Sequence, residues 1–377
     1  MKRTGIICEF NPFHRGHAKL IRTVREMTGG QVVCVMSGSF VQRGEPAIMP
    51  ASYRAAAAVE AGADAVFELP FPWSASSAEF FAGAGIKMLR DLGCDSFAFG
   101  SESADLEYLS EQAAKPRPEP SKDAGTASAF DRLEPNDVLA VEYLRAAVRL
   151  GGSMTAIAIK REGSHLSDEN LPSDDNPSSS GIRRALLSGA EVYGLTGGSL
   201  RALREATEAG ECPASAEALS GAVTAFWRLC DPIALSVCAE CGSGVAGRLK
   251  RAALAADGFD DMMKQAATKR YTNARLRRAV WFGMTGATAA DLRGGPAYAR
   301  VLALGPDGRK LLSGSRFAIP VVTRVRDIPD TESCQRQFEL VLRADSLFSL
   351  SLPVPADSAR FIRRQAIVWE GPGRDKL

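Results

Sequence analysis

The sequence predicts an α/β protein: an N-terminal Rossmann-like parallel sheet over residues 1–192, then a mostly helical C-terminal domain over residues 193–377. Two patterns carry this. The first half alternates short β-type apolar runs with helical stretches, the rhythm of a parallel sheet with helices on both faces. After about residue 195 the pattern turns helical. With 377 residues, 45% of them hydrophobic and 24% charged, the chain has the length for two domains and an ordinary globular composition.

The expected strands span residues 5–10, 31–36, 65–69, 96–100 and 154–160. Helices are expected between them at 16–27, 51–61, 78–92 and 137–150. In such sheets ligands bind outside the carboxyl ends of the strands, and the unusual residues crowd there. The first strand runs into Glu9-Phe10-Asn11-Pro12-Phe13-His14-Arg15-Gly16-His17 and the second into Ser37-Gly38-Ser39-Phe40-Val41-Gln42-Arg43-Gly44-Glu45-Pro46. The third ends in Glu68-Leu69-Pro70, the fourth in Gly100-Ser101-Glu102, the fifth in Lys160-Arg161-Glu162. Residues 111–130, rich in Ala, Pro, Ser and Lys, read as a flexible excursion. Residues 172–180 read as a polar loop that leads into a short helix over 181–187.

Composition narrows the function classes. The formal charge of +2 calls for no polyanion partner by itself, so a basic patch has to be local. One exists: residues 248–281 hold nine Lys or Arg against three Asp. The eight cysteines are scattered, and Cys238 and Cys241 form a CxxC with neither a second pair nor nearby histidines, so no metal site is expected. The opening residues turn polar too early for a signal peptide, and no apolar run is long enough to span a bilayer. A cytoplasmic protein with reduced thiols, and no membrane partner, is the expectation.

Two of the three histidines, His14 and His17, stand in an HxGH motif that opens a helix after the first strand. A helix N-terminus offers free N–H groups and a positive dipole end to phosphate. Gly16 lets the backbone approach a nucleotide closely, and the imidazoles can stabilise charge building on an α-phosphate. Later in the chain, Ser178-Ser179-Ser180-Gly181-Ile182-Arg183 offers hydroxyls and a guanidinium suited to β- and γ-phosphates; a serine run before a helix is also an ordinary cap. Glu9, Glu68 and Glu102 lie near the same rim and could position Mg2+ or ribose, or equally bind neighbouring arginines. Arg43, Arg54 and Arg161 are candidate phosphate contacts, each with a surface ion pair as the rival. The run from Lys269 to Arg278 is a basic helix carrying an aromatic residue, suited to phosphates of folded RNA or to a solvated face.

Together these motifs resemble the HxGH nucleotidyltransferase superfamily and, within it, the tRNA-methionine cytidine acetate ligase family. The matching residues are Gly5 to His17, Met36 to Ala47, Phe67-Glu68-Leu69-Pro70, Ser77-Ala78-Glu79, Phe99-Gly100-Ser101-Glu102, Pro135-Asn136-Asp137-Val138-Leu139, Ile159-Lys160-Arg161, Ser178 to Arg183, and Lys269-Arg270-Tyr271-Thr272. The resemblance implies a ligase that joins acetate to ATP, with Mg2+, as acetyl-adenylate. It then passes the acetyl group to N4 of the wobble cytidine of elongator methionine tRNA. It implies that His14, His17 and Arg183 carry the chemistry. Nucleotide contacts would come from Ile7, Cys8, Glu9, Phe10, Asn11, Pro12, Phe13, His14, Arg15, Gly16, His17 and Leu20. Gly100, Asn136, Arg161, Ser178, Ser180 and Ile182 would add to them. Lys269, Arg270, Tyr271, Arg275, Arg277 and Arg278 would hold the tRNA.

Three positions depart from the family pattern. Ala51 stands where many relatives have Lys, Ser39 stands where Asn is usual, and His165 is displaced from the position expected for a histidine after Arg161. The alternatives that stay open are a small-molecule adenylyltransferase, which has no use for a basic C-terminal helix, and a non-catalytic tRNA-binding relative.

Overall fold

The computed structural model describes residues 2–117, 133–161 and 178–371. The first half follows the expected alternation: β1 (Arg3–Cys8), α1 (Arg15–Thr28), β2 (Gln31–Ser37), a hairpin of β3 (Phe40–Val41) and β4 (Glu45–Pro46), α2 (Ala51–Glu60), β5 (Ala65–Leu69), α3 (Ala78–Asp91), β6 (Ser96–Ser101), α4 (Leu106–Ala114), α5 (Pro135–Arg149) and β7 (Thr155–Lys160). Ends shift by one or two residues from the sequence reading, as fraying helix ends do. α6 (Ser179–Ser188) and α7 (Gly197–Glu208) follow, then a helical cluster of α8 (Ser220–Leu229), α9 (Val245–Ala255), α10 (Phe259–Ala266), α11 (Asn273–Thr285) and α12 (Ala289–Gly294).

The chain then returns to the sheet, which the helical reading of the C-terminal half did not foresee. β8 (Ala299–Leu304) pairs antiparallel with β5, and after α13 (Gly308–Ser313), β9 (Val321–Val322), α14 (Glu332–Leu350) and α15 (Arg360–Arg363), β10 (Ile367–Val368) pairs parallel with β8. The sheet order is β10-β8-β5-β2-β1-β6-β7, with β9 on β8. The segment 299–304 reads ambiguously by pattern because it is short and buried nearly throughout.

β1 is central, and its order with β2 and β5 on one side and β6 and β7 on the other makes the carboxyl ends of β1 and β6 the switch point of the parallel sheet. A crevice opens at such a point because successive crossovers leave in opposite directions. β2 is buried at every position, as a strand covered on both faces must be.

One stretch differs from the expected flexibility. Residues 111–114 complete α4, and Arg117 pairs with Glu142 and Glu79, so an ordered helix runs into the segment read as a flexible excursion. Residues 118–132 of that excursion, residues 172–177 of the second loop, and His165 lie outside the described residues.

The β3–β4 hairpin docks the sheet onto the helical cluster. Gly44, at φ +71°, turns the hairpin where a Cβ would meet the Arg278 backbone at 2.7 Å. Its carbonyl accepts from Trp281 Nε1 at 2.7 Å. Trp281 is wholly buried and stacks on Phe259 at 5.5 Å and Phe40 at 5.1 Å. One core therefore runs from the sheet into the helices, through residues such as Phe40, Phe71 and Phe282.

Candidate active site

The HxGH turn is built by local hydrogen bonding. His14 is the N-cap of α1, and its Nδ1 accepts from Gly16 N at 3.1 Å. His17 Nδ1 reaches back and accepts from His14 N at 3.3 Å, so the pair forms a capping box with imidazoles in place of the usual Ser and Glu. Both Nδ1 atoms being acceptors fixes the tautomer: each ring carries its proton on Nε2. His14 Nε2 donates to Ser179 Oγ at 3.1 Å. The rings stack with centroids 3.7 Å apart, and His17 also packs on Phe10 at 4.9 Å. Phe10 itself sits at φ +46°, a conformation a bulky residue keeps only where packing over-determines it.

Burial sets the charge of these rings. His14 is pushed down to about 3, first by desolvation and then by the charge of Arg161. Burial also holds His17 well below the ordinary imidazole range, with His14 and Arg161 adding to it. Both are neutral N–H donors at pH 7. In the ligand-free state the pair offers two fixed dipoles.

Arg183 closes over this turn from α6. Its Nη1 donates to Asn11 O at 2.9 Å and its Nη2 to Ser180 Oγ at 3.3 Å, and it pairs with Glu45 at 3.4 Å. Ser178 caps α6 by accepting from Gly181 N at 3.2 Å, and Ile182 on the same helix is buried. Ser179, the middle serine of the run, is the one that meets His14. Nothing in the run distinguishes it; only the position of α6 against α1 does.

On the β6 and β7 side, Glu102 gathers the other expected contacts. It accepts from Asn136 Nδ2 and, at 3.1 Å, from Asp137 N, and it lies 3.9 Å from Arg161. A Cβ at Gly100 would come within 3.1 Å of the Arg161 side chain, so glycine keeps that guanidinium close to the strand. Arg161 thus stands between Glu102 and the two histidines whose protonation it opposes.

Several candidates also hold the fold. Arg54 is fully buried and donates to the carbonyls of Met49 at 3.1 Å, Glu9 at 2.6 Å and Gly38 at 2.5 Å, so it is not a phosphate contact. Glu68 is taken by Arg300 at 2.7 Å. The Glu9 carboxylate accepts from Gln42 N at 2.8 Å, and burial raises its pKa above the ordinary carboxylate range. Ser39 donates to Asp345, a carboxyl pushed up to about 7 by burial and then by Glu68. Ala51 lines a cavity of about 20 Å³ with Arg300 and Arg364, but these pair with Glu68 and with Glu211, so neither is a spare cation in place of the missing lysine. Cys8 is buried and donates to Val35 O at 3.7 Å.

The basic stretch divides in the same way. Arg278 is buried and pairs with Glu240 at 3.0 Å, Arg275 pairs with Glu240 at 3.1 Å, and Arg277 pairs with Glu45 at 2.7 Å. Three of the expected RNA contacts are therefore tied within the protein, because α11 presents that face to the hairpin and to Glu240. Lys269 and Arg270 are exposed. Tyr271 is buried and donates its hydroxyl to Ser243 O at 2.8 Å.

No resident cation site forms at the rim: among the described residues no three His, Cys, Asp or Glu lie close enough to hold a metal ion. Mg2+ is ordinarily held by one or two carboxylates together with nucleotide phosphates rather than by an all-protein cage. Cys241 is buried and donates to Ala279 O at 3.3 Å, as a packed thiol does. Among the described residues no helix is long and apolar enough to cross a membrane.

The comparison with known proteins follows this geometry. Residues 1–361 match the HIGH Nucleotidyl Transferase family. The tRNA(Met) cytidine acetate ligase of Acetivibrio thermocellus is 32% identical over 94% of this chain and 96% of its own. That of Syntrophotalea carbinolica is 31% identical over 94% and 95%. The chain belongs to the tRNA(Met) cytidine acetate ligase family. The structure of apo Thermotoga maritima TmcAL matches with a TM-score of 0.89 at 26% identity, covering 98% of this chain and all of that one. A second crystal form of the same protein, bound with alpha-thio ATP, matches with a TM-score of 0.87 at 24% identity. These neighbours share the α/β fold with its mostly parallel central sheet.

Proposed function

We propose that the protein activates acetate with ATP and transfers the acetyl group to N4 of the wobble cytidine of elongator methionine tRNA. The observation that carries this is the pair of neutral imidazoles, each with its proton on Nε2, at the N-terminus of α1 where the parallel sheet switches direction. The names of the relatives, tRNA(Met) cytidine acetate ligases, support this acceptor and acyl group.

In the first step a carboxylate oxygen of acetate attacks the α-phosphorus of ATP, and pyrophosphate leaves. The His14 and His17 Nε2–H groups would donate to the oxygens on which charge builds. Arg183 would exchange its present acceptors for the departing phosphates. Ser179 accepts from His14 in the free protein and would hand that donor to the nucleotide. In the second step the cytidine N4 attacks the acetyl carbon of the mixed anhydride, AMP leaves, and N4 gives up one proton. The anhydride is already activated, so this step asks for orientation more than for acid–base power.

The test is nucleoside mass spectrometry on unmodified elongator methionine tRNA incubated with protein, Mg-ATP and acetate, with acetate omitted or His17→Ala as controls. Acetate-dependent N4-acetylcytidine that vanishes in the variant supports the reading. Pyrophosphate release that ignores acetate and tRNA would instead mark a small-molecule adenylyltransferase. tRNA binding without pyrophosphate release would mark a non-catalytic relative, the outcome that Ala51 with its two engaged arginines would favour.

A further inference from the structure

Arg275, Arg277 and Arg278 are held by Glu240 and Glu45 inside the protein, and four other cations of the C-terminal half share one concavity. Arg248 and Arg251 on α9 and Lys269 and Arg270 on the turn before α11 line one cavity of about 410 Å³, with no acidic residue in its lining. Arg248 and Arg251 belong to the basic stretch 248–281 but lie outside the motif from Lys269 to Arg278.

The walls are pre-organised. Thr268 Oγ1 accepts from Arg270 N at 2.9 Å and from Tyr271 N at 3.1 Å, which fixes the turn. The Tyr271 hydroxyl ties that turn to Ser243 O, beside the start of α9. The Arg270 guanidinium lies 5.3 Å from the Tyr271 ring centroid, so the aromatic holds it at the mouth. Four cations in one concavity repel each other and attract a polyanion strongly. Arginine forks match phosphate oxygens two at a time. The concavity is open on one side, so a phosphate within a longer chain can reach it.

We propose that this cavity seats a backbone phosphate of the tRNA and that Arg248 and Arg251 are tRNA-binding residues. The identity of the RNA rests on the ligase reading above; the phosphate chemistry does not. Contacts to backbone phosphates set the register of an RNA on a protein without reading its sequence. That would suit a surface whose task is to present one base to the crevice.

The test is fluorescence anisotropy of labelled elongator methionine tRNA with the full chain across a range of NaCl. Arg248→Gln/Arg251→Gln should weaken binding at least about tenfold and lower the salt slope by about one to two. Arg248→Lys/Arg251→Lys, which keeps the charge but loses the forks, should keep the wild-type salt slope and bind more tightly than the Gln pair. Circular dichroism melts establish that each variant is folded. A folded Gln pair with wild-type affinity and slope overturns the proposal. So does protection from melting by inorganic phosphate that depends on Arg248 and Arg251 while tRNA affinity does not, since the cavity would then serve a free anion. The readout is binding, so it fails separately from the ligase reading: wild-type protein that binds tRNA through these arginines but forms no N4-acetylcytidine would sink the activity and leave the cavity's role intact.

Discussion

Acidification should destabilise this protein through His14 by an amount that can be worked out. In the unfolded chain its imidazole titrates near 6.5. In the fold burial pushes it down to about 3. Between those values the unfolded state binds a proton that the folded state refuses. Stability is therefore whole above about pH 6.5 and is lost as pH falls towards 3. At pH 5, some 1.5 units below the unfolded value, the loss from His14 is about 2 kcal/mol at 1.36 kcal/mol per unit. His17 moves in the same direction. The assay is urea unfolding at pH 7 and pH 5 for wild type and for His14→Asn, whose side chain still caps a helix. Wild type should lose about 2 kcal/mol more than the variant over that interval. Equal losses would mean that the folded imidazole takes its proton freely, and the neutral-donor account of the HxGH turn would be wrong.

Three further outcomes test other parts of the structure. Arg183→Ala should cut acetate-dependent ATP–pyrophosphate exchange about 100-fold while moving the melting temperature little, because the side chain spans the crevice rather than the core; unchanged exchange would remove Arg183 from the reaction. Arg54→Ala should cost about 3 kcal/mol or more, since three carbonyls lose their donor in a buried site, and chemical denaturation with an unaltered midpoint would contradict that. Asp345→Asn should gain on wild type by at most about 3 kcal/mol as pH rises from 5 to 8. The wild-type carboxyl, pushed up to about 7, favours the fold below its unfolded pKa and loses that contribution as pH rises through 7. Parallel unfolding curves for the two proteins across that range would refute the buried-carboxyl account.

Much of the crevice was legible in the sequence because its parts are local. The imidazoles, the start of the helix they open and the strand before them all lie within residues 3–17, so spacing alone places them; their capping of that helix came from the structure. The same holds for Asn136 at the start of α5 and for Gly100 and Glu102 at the end of β6, where the alternation of strand and helix locates the rim. Arg54 and Arg278 show where such reading fails. A guanidinium near the rim looks the same in sequence whether it meets a ligand or three backbone carbonyls, and the choice rests on contacts made by Glu9 and Gly38 in one case and by Glu240 in the other.

The sequence by itself determined the parallel α/β half, the position of the HxGH turn at a strand end and the family, since each depends on short-range periodicity and contiguous motifs. Only the tertiary structure decided which charges are free. It brought Ser179 to His14 across 165 residues, joined β8 and β10 to the sheet, spent Arg275, Arg277 and Arg278 on internal carboxylates, and left Arg248 and Arg251 facing Lys269 and Arg270. The physical reason is that a charge is neutralised by whatever lies within a few ångströms of it, and for residues far apart in the chain that neighbourhood exists only once the core has packed.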